Sequence, residues 1–248
     1  MSVRSRTSAV SFAAFHVRPG ESRAPFAFTC EHASAAVPER YAGLGLGPSE
    51  LGDHVAWDIG AAALARRVAD AFAAPLVESG CSRLVIDCNR DLHDHDLIVA
   101  ETHGVVVPGN RDLDAAERAY RIERYHRPYH DAVDEVLAAR PQPTILVSMH
   151  SFTPELGGQP RELEVGVLYD DHVSLAGTLA AAIASTGLVV RHNEPYSGMD
   201  GLIYSARVHG VEHGLRYVEL EVNNGLLRAT ADVEAVAAKI TTALRTLL

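Results

Sequence analysis

The chain has 248 residues, of which 47% are hydrophobic and 22% are charged, and its formal net charge is −10. These proportions are typical of a soluble globular protein, and a chain of this length often forms a single α/β domain. The negative charge argues against nucleic acid as a partner, because that binding depends on many Lys and Arg contacts to phosphate. No apolar run approaches the roughly 20 residues that span a bilayer, so a membrane partner is not expected either.

The N-terminal 25 residues lack the continuous apolar stretch of a secretory signal. We expect residues 1–25 to be a partly ordered tail and residues 26–248 to form a single domain. Cys30, Cys81 and Cys88 are too few and too irregularly spaced for a disulfide framework. A reducing cytoplasm is therefore the expected location.

Strand-like and helix-like segments alternate along the rest of the chain. Strands are predicted at residues 26–30, 83–88, 144–149, 164–169, 188–190 and 216–222. Helices are predicted at residues 58–73, 112–139 with an interruption near Pro128, 172–186, 202–213 and 230–246. Strands separated by helices indicate an α/β fold, a three-layer α/β/α sandwich with a mostly parallel mixed sheet. Ligands of such sheets bind beyond the carboxyl ends of the strands.

Histidines and carboxylates occur where several of these elements meet. His32 and His150 follow two predicted strands, Asp58 starts a predicted helix, and Glu219 and Glu221 lie two residues apart near the end of the last strand. Residues two apart on a strand point to one face of the sheet. Two imidazoles, one carboxylate and an open water position form a common catalytic zinc site. Taken singly, Asp58 could instead stabilise its helix, and either glutamate could pair with an arginine.

Other catalytic motifs are absent or weak. The sequence contains no HExxH, no GxSxG and no P-loop. The run His93-Asp94-His95-Asp96 has metal-binding residue types, but neighbours on a loop rarely converge on one ion. A solvated loop is therefore the preferred interpretation of that run.

Eight short segments together resemble the N-formylglutamate amidohydrolase family. In chain order they are CEHAS (30–34), WDIGA (57–61), SRLVIDCNR (82–90), VPGN (107–110), PYH (128–130), SMHSFTP (148–154), GVLY (166–169) and NEPYSG (193–198). The resemblance runs from about residue 26 to residue 227. It implies a phosphorylase/hydrolase-like fold, shared with zinc carboxypeptidases and zinc-dependent muramoyl amidases. It also implies hydrolysis of N-formylglutamate or a similar small N-acyl amino acid.

The resemblance also implies a ligand set and a base. One divalent metal ion, with zinc expected, would be held by His32, His150 and Asp58, and Glu31 is the alternative third ligand. Glu221 is the implied general base, with Glu219 as second choice. The family usually continues with Arg-Gln-Asp after this strand, whereas this chain has two asparagines and a glycine at 223–225, which leaves the substrate open.

A substrate with carboxylates requires cations, because the Arg guanidinium binds a carboxylate with two parallel hydrogen bonds. Arg90 is the first choice because it follows a predicted strand. The other predicted substrate-binding residues are Asn89, Arg83, Ser151, Asn193, Arg118 and Arg121. Arg118 and Arg121 could instead pair with Glu117 or Asp114, and Tyr196 could either donate to the oxyanion or simply pack in its turn.

Two alternatives to this function remain open. One is a metal-dependent peptidase or amidase that acts on a larger, peptide or peptidoglycan-like substrate. The other is a catalytically inactive binding protein of the same fold. The sequence does not determine the oligomeric state.

Overall fold

The computed structural model describes residues 12–140 and 144–248. The strands of the described residues are β1 (Phe15–Arg18), β2 (Phe26–Cys30), β3 (Leu76–Ser79), β4 (Glu101–Thr102), β5 (Val105–Val106), β6 (Ile145–Phe152), β7 (Glu155–Leu156), β8 (Gln159–Pro160), β9 (Val165–Leu168), β10 (Val190–His192) and β11 (Arg216–Asn223). The α-helices are α1 (Pro48–Leu51), α2 (Ala61–Ala71), α3 (Ala115–Arg121), α4 (Arg127–Ala138), α5 (Val173–Ser185), α6 (Tyr204–Glu212) and α7 (Thr230–Leu244). None of these helices is long and apolar enough to cross a membrane.

Seven strands form one mixed sheet in the order β1-β3-β2-β6-β11-β9-β10. The four central strands β3, β2, β6 and β11 are parallel, whereas β9 is antiparallel to β11 and β1 is antiparallel to β3. The predicted α/β fold with a mixed sheet is therefore confirmed. In the register of β6 and β11, Ser148 pairs with Glu219 and His150 pairs with Glu221.

Helices cover both faces of the sheet, as the alternation of side chains along the strands requires. Val147 and Met149 of β6 pack into a core with α2, α5 and α7, whereas Leu146 packs into a second core with α4 and α6. Ser148 and His150 share the face of Leu146 because they lie two and four residues further along the strand. The α4/α6 side of the sheet therefore receives the polar groups near the carboxyl end of β6.

The predicted strand at residues 83–88 is wrong, since this segment forms turns. Leu84, Val85 and Ile86 are nevertheless fully buried in a third hydrophobic cluster. Side chains outside the sheet satisfy the backbone there: Asn110 Nδ2 donates to the carbonyl of Leu84 at 2.8 Å, and Arg121 Nη1 donates to that of Val85 at 3.1 Å. The strand in this part of the sheet is β3, which lies just before the turns.

The predicted interruption of helix 112–139 near Pro128 is observed as a π-helical turn at Ile122–His126, and Pro128 lies in the first turn of α4. One further element prediction needs correction. Asp58 precedes α2 instead of lying in its first turn, and Gly60 occupies the N-cap.

The sheet extends beyond the predicted start of the domain at residue 26. Strand β1 lies within the segment predicted as a tail and pairs with β3, with Phe15 opposite Ser79 and Arg18 opposite Leu76. Residues 1–11 of that segment lie outside the described residues.

Candidate active site

Three buried donor atoms from separate elements meet beyond the carboxyl end of the sheet. His32 follows β2, His150 lies within β6, and Asp58 precedes α2. His150 Nδ1 lies 3.1 Å from His32 Nδ1 and 2.8 Å from Asp58 Oδ2, and His32 Nδ1 lies 3.4 Å from the same Oδ2. Donor atoms bound tetrahedrally to one zinc ion at about 2.1 Å would be about 3.4 Å apart. This triangle therefore fits one divalent cation after shifts of a few tenths of an ångström.

The far ring nitrogen of each histidine faces a carboxylate. His32 Nε2 lies 2.7 Å from Asp87 Oδ1, and His150 Nε2 lies 2.8 Å from Glu31 Oε2. Metal-ligating histidines commonly donate their second N–H to a carboxylate, which leaves the other nitrogen unprotonated for the ion. Because Glu31 contacts the far side of His150, the geometry favours Asp58 over Glu31 as the third ligand.

Glu31 is itself held by two hydroxyl groups. Tyr129 OH donates to Oε1 at 2.8 Å, and Ser148 Oγ donates to Oε2 at 2.6 Å. Burial raises the pKa of Glu31, but the hydrogen bonds and charge of His150, together with the hydrogen bond from Ser148, outweigh it and leave the pKa well below its usual value. Glu31 therefore stays ionised and keeps His150 oriented.

Asp87 orients His32 in the same way that Glu31 orients His150. The sequence analysis did not predict Asp87 as a site residue. Burial raises its pKa, yet the neighbouring charges of His32 and Arg83 lower it well below the ordinary value. Arg83 Nη2 donates to Asp87 Oδ2 at 3.0 Å. One signal was present in the sequence: Asp87 sits in the apolar run LVIDC, and a carboxylate is rarely buried unless it is paired.

The two glutamates of β11 differ in their partners. Glu219 accepts a hydrogen bond from Asn89 Nδ2 at 3.2 Å, and burial raises its pKa to about 7 even though the charge of His150 lowers it. Glu221 is 5% exposed, and its Oε2 has no hydrogen-bond partner among the described residues. Burial, and then the charge of Asp58, raises the pKa of Glu221 well above its usual value. Glu221 therefore presents an unpartnered carboxyl oxygen beside His150.

The metal-type triangle and both glutamates line one cavity of about 240 Å³. Arg83 and Arg90 also line it. Arg83 is engaged by Asp87 and lies 3.6 Å from Asp58 Oδ1. Arg90 Nη1 donates to the carbonyl of Asn89 at 2.9 Å, and in the described part of the chain it has no carboxylate within ion-pair distance. Arg90 therefore lines the cavity without an ion-pair partner among the described residues.

Tyr196 and Ser151 also line the cavity. Burial raises the pKa of Tyr196, with the charge of Glu221 adding to the effect, so the phenol stays protonated and able to donate. The backbone N–H of Ser151 donates to Asp58 Oδ2 at 3.1 Å, and its hydroxyl donates to the carbonyl of Ile59 at 2.9 Å. Ser151 therefore fixes the position of Asp58.

Arg118 and Arg121, predicted as substrate-binding residues, lie outside the cavity lining. Arg118 Nη2 donates to the carbonyl of Leu92 at 2.9 Å. Arg121 is 1% exposed and donates to Glu117 at 3.0 Å and to Asn110 Oδ1 at 2.7 Å. Protein oxygens already occupy these guanidinium groups.

Asn193, also predicted as a substrate-binding residue, has a structural role in its loop. Asn193 has a left-handed backbone with φ 50°, and its Oδ1 accepts hydrogen bonds from the backbone N–H groups of Tyr169 at 2.9 Å and Gly198 at 3.1 Å. It lies outside the cavity lining and holds the 193–198 loop against the end of β9. That loop places Tyr196 in the cavity.

Comparisons with known proteins agree with the sequence resemblance. The structure is similar to that of a gene product from Agrobacterium tumefaciens, with 36% identity, a TM-score of 0.88, and coverage of 94% of this chain and 95% of that one. It shares the fold of the N-formylglutamate amidohydrolase from Ralstonia eutropha, with 19% identity, a TM-score of 0.68, and coverage of 94% and 96%. No curated protein sequence gives a significant match. The profile of the N-formylglutamate amidohydrolase family matches residues 24–228, so the chain belongs to that family of amidohydrolases.

Proposed function

We propose that this chain is a metal-dependent amidohydrolase that cleaves N-formylglutamate or a similar small N-acyl amino acid. The observation that carries the proposal is the triangle of His32, His150 and Asp58, with the unpartnered carboxylate of Glu221 in the same cavity. Each histidine is oriented by its own carboxylate, an arrangement typical of metal ligands. Family membership supports the hydrolytic chemistry.

The residues of the cavity provide the groups that amide hydrolysis requires. A divalent cation, zinc in the first instance, would supply Lewis-acid polarisation of the amide carbonyl and lower the pKa of water from 15.7 towards about 7. Glu221 takes a proton from the attacking water as the new C–O bond forms, and returns it to the amine nitrogen as the C–N bond breaks. Tyr196 donates a hydrogen bond to the oxygen on which negative charge develops. The products are the free carboxylic acid and the amino acid.

Two features support a small, anionic substrate. The cavity of about 240 Å³ is smaller than typical pockets for drug-sized ligands, which are about 300–1,000 Å³. Arg90 lines this cavity and is free to bind a substrate carboxylate through two hydrogen bonds. A small N-acyl amino acid with an acidic side chain satisfies both features.

The test is a screen of N-formyl and N-acetyl amino acids against the purified protein loaded with zinc, manganese or cobalt. We expect N-formylglutamate or a close analogue to give the highest kcat/KM. The His150→Ala variant should lose the ion of the His32, His150 and Asp58 triangle together with turnover, and near wild-type rates in that variant would defeat the proposal. Faster cleavage of a peptide or peptidoglycan-like amide would assign the larger-substrate alternative. A metal occupancy below about 0.2 equivalents at the triangle of His32, His150 and Asp58 would support an inactive binding protein.

A further inference from the structure

A second group of metal-type side chains lies where α4 meets α6, outside the catalytic cavity. Asp134 belongs to α4, His209 belongs to α6, and His213 directly follows α6. Asp134 Oδ1 lies 2.7 Å from His209 Nδ1 and 3.0 Å from His213 Nε2. One potential ligand atom from each side chain lies within 4.8 Å of those of the other two.

The helix geometry suits chelation of one ion. His209 and His213 are four residues apart, so both imidazoles project from one face of the helical segment. Asp134 supplies a carboxylate from the neighbouring helix. Two imidazoles with one carboxylate suit zinc and similar transition metals, whereas magnesium and calcium prefer oxygen ligands alone.

The exposure of the three side chains rises from the inside outward. The His209 side chain is 2% exposed, that of His213 is 17% exposed, and that of Asp134 is 38% exposed. An ion could therefore enter from solvent and keep water in a fourth position. The tetrahedral spacing of about 3.4 Å requires the carboxylate to move outward by a few tenths of an ångström, which its exposure permits.

A further histidine orients the buried imidazole. His209 Nε2 lies 2.8 Å from His130 Nδ1, and the two rings stack with centroids 5.0 Å apart and planes at 25°. When His209 Nδ1 binds an ion, its Nε2 carries the proton and donates to His130 Nδ1. This is the support that a metal-ligating histidine commonly has.

We propose that Asp134, His209 and His213 form a second site for a divalent transition metal, zinc in particular, that links α4 to α6. Neither helix supplies a ligand of the catalytic triangle, so the site is independent of the proposed function. Binding of the ion to the folded chain stabilises the contact between the two helices.

The test is the zinc content after chelation and equilibrium dialysis against about 10 μM free zinc, a concentration well above the Kd of typical structural zinc sites. We expect two zinc ions per wild-type chain, and one in each of the His213→Gln and Asp134→Asn variants. The matched control His16→Gln, which removes an exposed histidine of β1, should keep two. Equal zinc content in wild type, His213→Gln and Asp134→Asn would overturn the proposal.

Two readouts separate this site from the catalytic one and from a folding defect. His150→Ala should keep one zinc ion, and the double variant His150→Ala/His213→Gln should keep none. If the catalytic site held no metal, wild type would bind one ion and His213→Gln would bind none, which would leave the second site supported.

Zinc should raise the Tm of wild type above that of His213→Gln, whereas the two Tm values should agree within a few degrees in chelator. The same zinc-induced rise in both proteins would contradict a link between the helices.

Discussion

The Glu221→Gln substitution tests the assignment of the general base. Glutamine is nearly isosteric with glutamate but cannot accept a proton from water. General-base catalysis typically contributes about 10²–10⁴-fold to the rate, or about 2.7–5.4 kcal/mol at 1.36 kcal/mol per factor of ten. We expect kcat to fall by a factor in this range, with a smaller change in KM.

The structure also predicts what this substitution leaves intact. Glu221 Oε2 has no hydrogen-bond partner among the described residues, so no observed contact of that oxygen is lost. Glu221 is not one of the proposed ligands His32, Asp58 and His150, so zinc content should stay at the wild-type value, although Glu221 also groups with His150 and Glu219 as potential ligands. Burial already raises the pKa of this carboxyl, so a neutral amide should not destabilise the fold.

The assay measures formate or acetate release from N-acyl amino acids, together with zinc content and Tm for each variant. Glu219→Gln is the matched control, because its amide oxygen can still accept the hydrogen bond from Asn89. We expect that control to lose less than about tenfold in kcat, since it removes no base. A Glu221→Gln enzyme that keeps more than a tenth of wild-type kcat, while Glu219→Gln loses about a hundredfold, would move the base to Glu219.

Four further predictions follow from individual contacts. Asp87→Asn removes the carboxylate that orients His32, so the zinc Kd should rise about 10–100-fold; an unchanged Kd in a zinc titration would contradict this role. Arg90→Ala should raise KM for N-formylglutamate by about 10–100-fold, because it removes a charged hydrogen bond worth about 1.5–3 kcal/mol. The increase in KM should be much smaller for a neutral substrate, and equal increases in steady-state kinetics would exclude Arg90 from carboxylate binding. Gly166→Ala would place a Cβ 2.0 Å from the carbonyl oxygen of Glu194 and should cost about 1–3 kcal/mol of stability, seen as a lower denaturation midpoint; an unchanged midpoint would refute the close packing. Chelation should abolish turnover and added zinc should restore it, and full activity in the chelated enzyme would exclude a catalytic metal.

The sequence was most informative where an apolar strand ends in polar residues. Strands β2, β6 and β11 were all predicted, because each contains a run of buried apolar side chains. The polar residues near their carboxyl ends have no evident role in a core, and this pattern indicates His32, His150 and Glu221 as candidate site residues. Strand β6 is longer than predicted, so His150 is part of the strand and its direction is fixed by the pleat.

Residues 83–88 show where local pattern failed. The run of Leu84, Val85 and Ile86 has the composition of a buried strand, and these residues are indeed buried. Several backbone groups of residues 83–88 bond to distant parts of the chain instead of to a strand. Arg83 N–H donates to the carbonyl of Ala56 at 3.2 Å, and Asp87 N–H donates to the carbonyl of Leu97 at 2.9 Å. Those partners are set by tertiary packing, which local composition does not contain.

The positions of Arg118 and Arg121 outside the cavity lining could not be predicted for a related reason. A sequence shows a cation but not its partners, and the donors of Arg121 are used by Glu117, Asn110 and backbone carbonyls. The sequence did not predict that Glu31 and Asp87 orient histidines. Each carboxylate contacts a histidine that is distant in the chain and that only the fold brings close. The sequence shows which side chains could bind a metal, but it does not show which neighbouring groups orient them.

The most direct test of the metal centre is anomalous diffraction at the zinc edge from crystals grown with zinc. The structure predicts a peak within about 2.1 Å of His32 Nδ1, His150 Nδ1 and Asp58 Oδ2. A well-ordered structure with no peak at this triangle, or with the two imidazoles turned away from each other, would contradict the hydrolytic account.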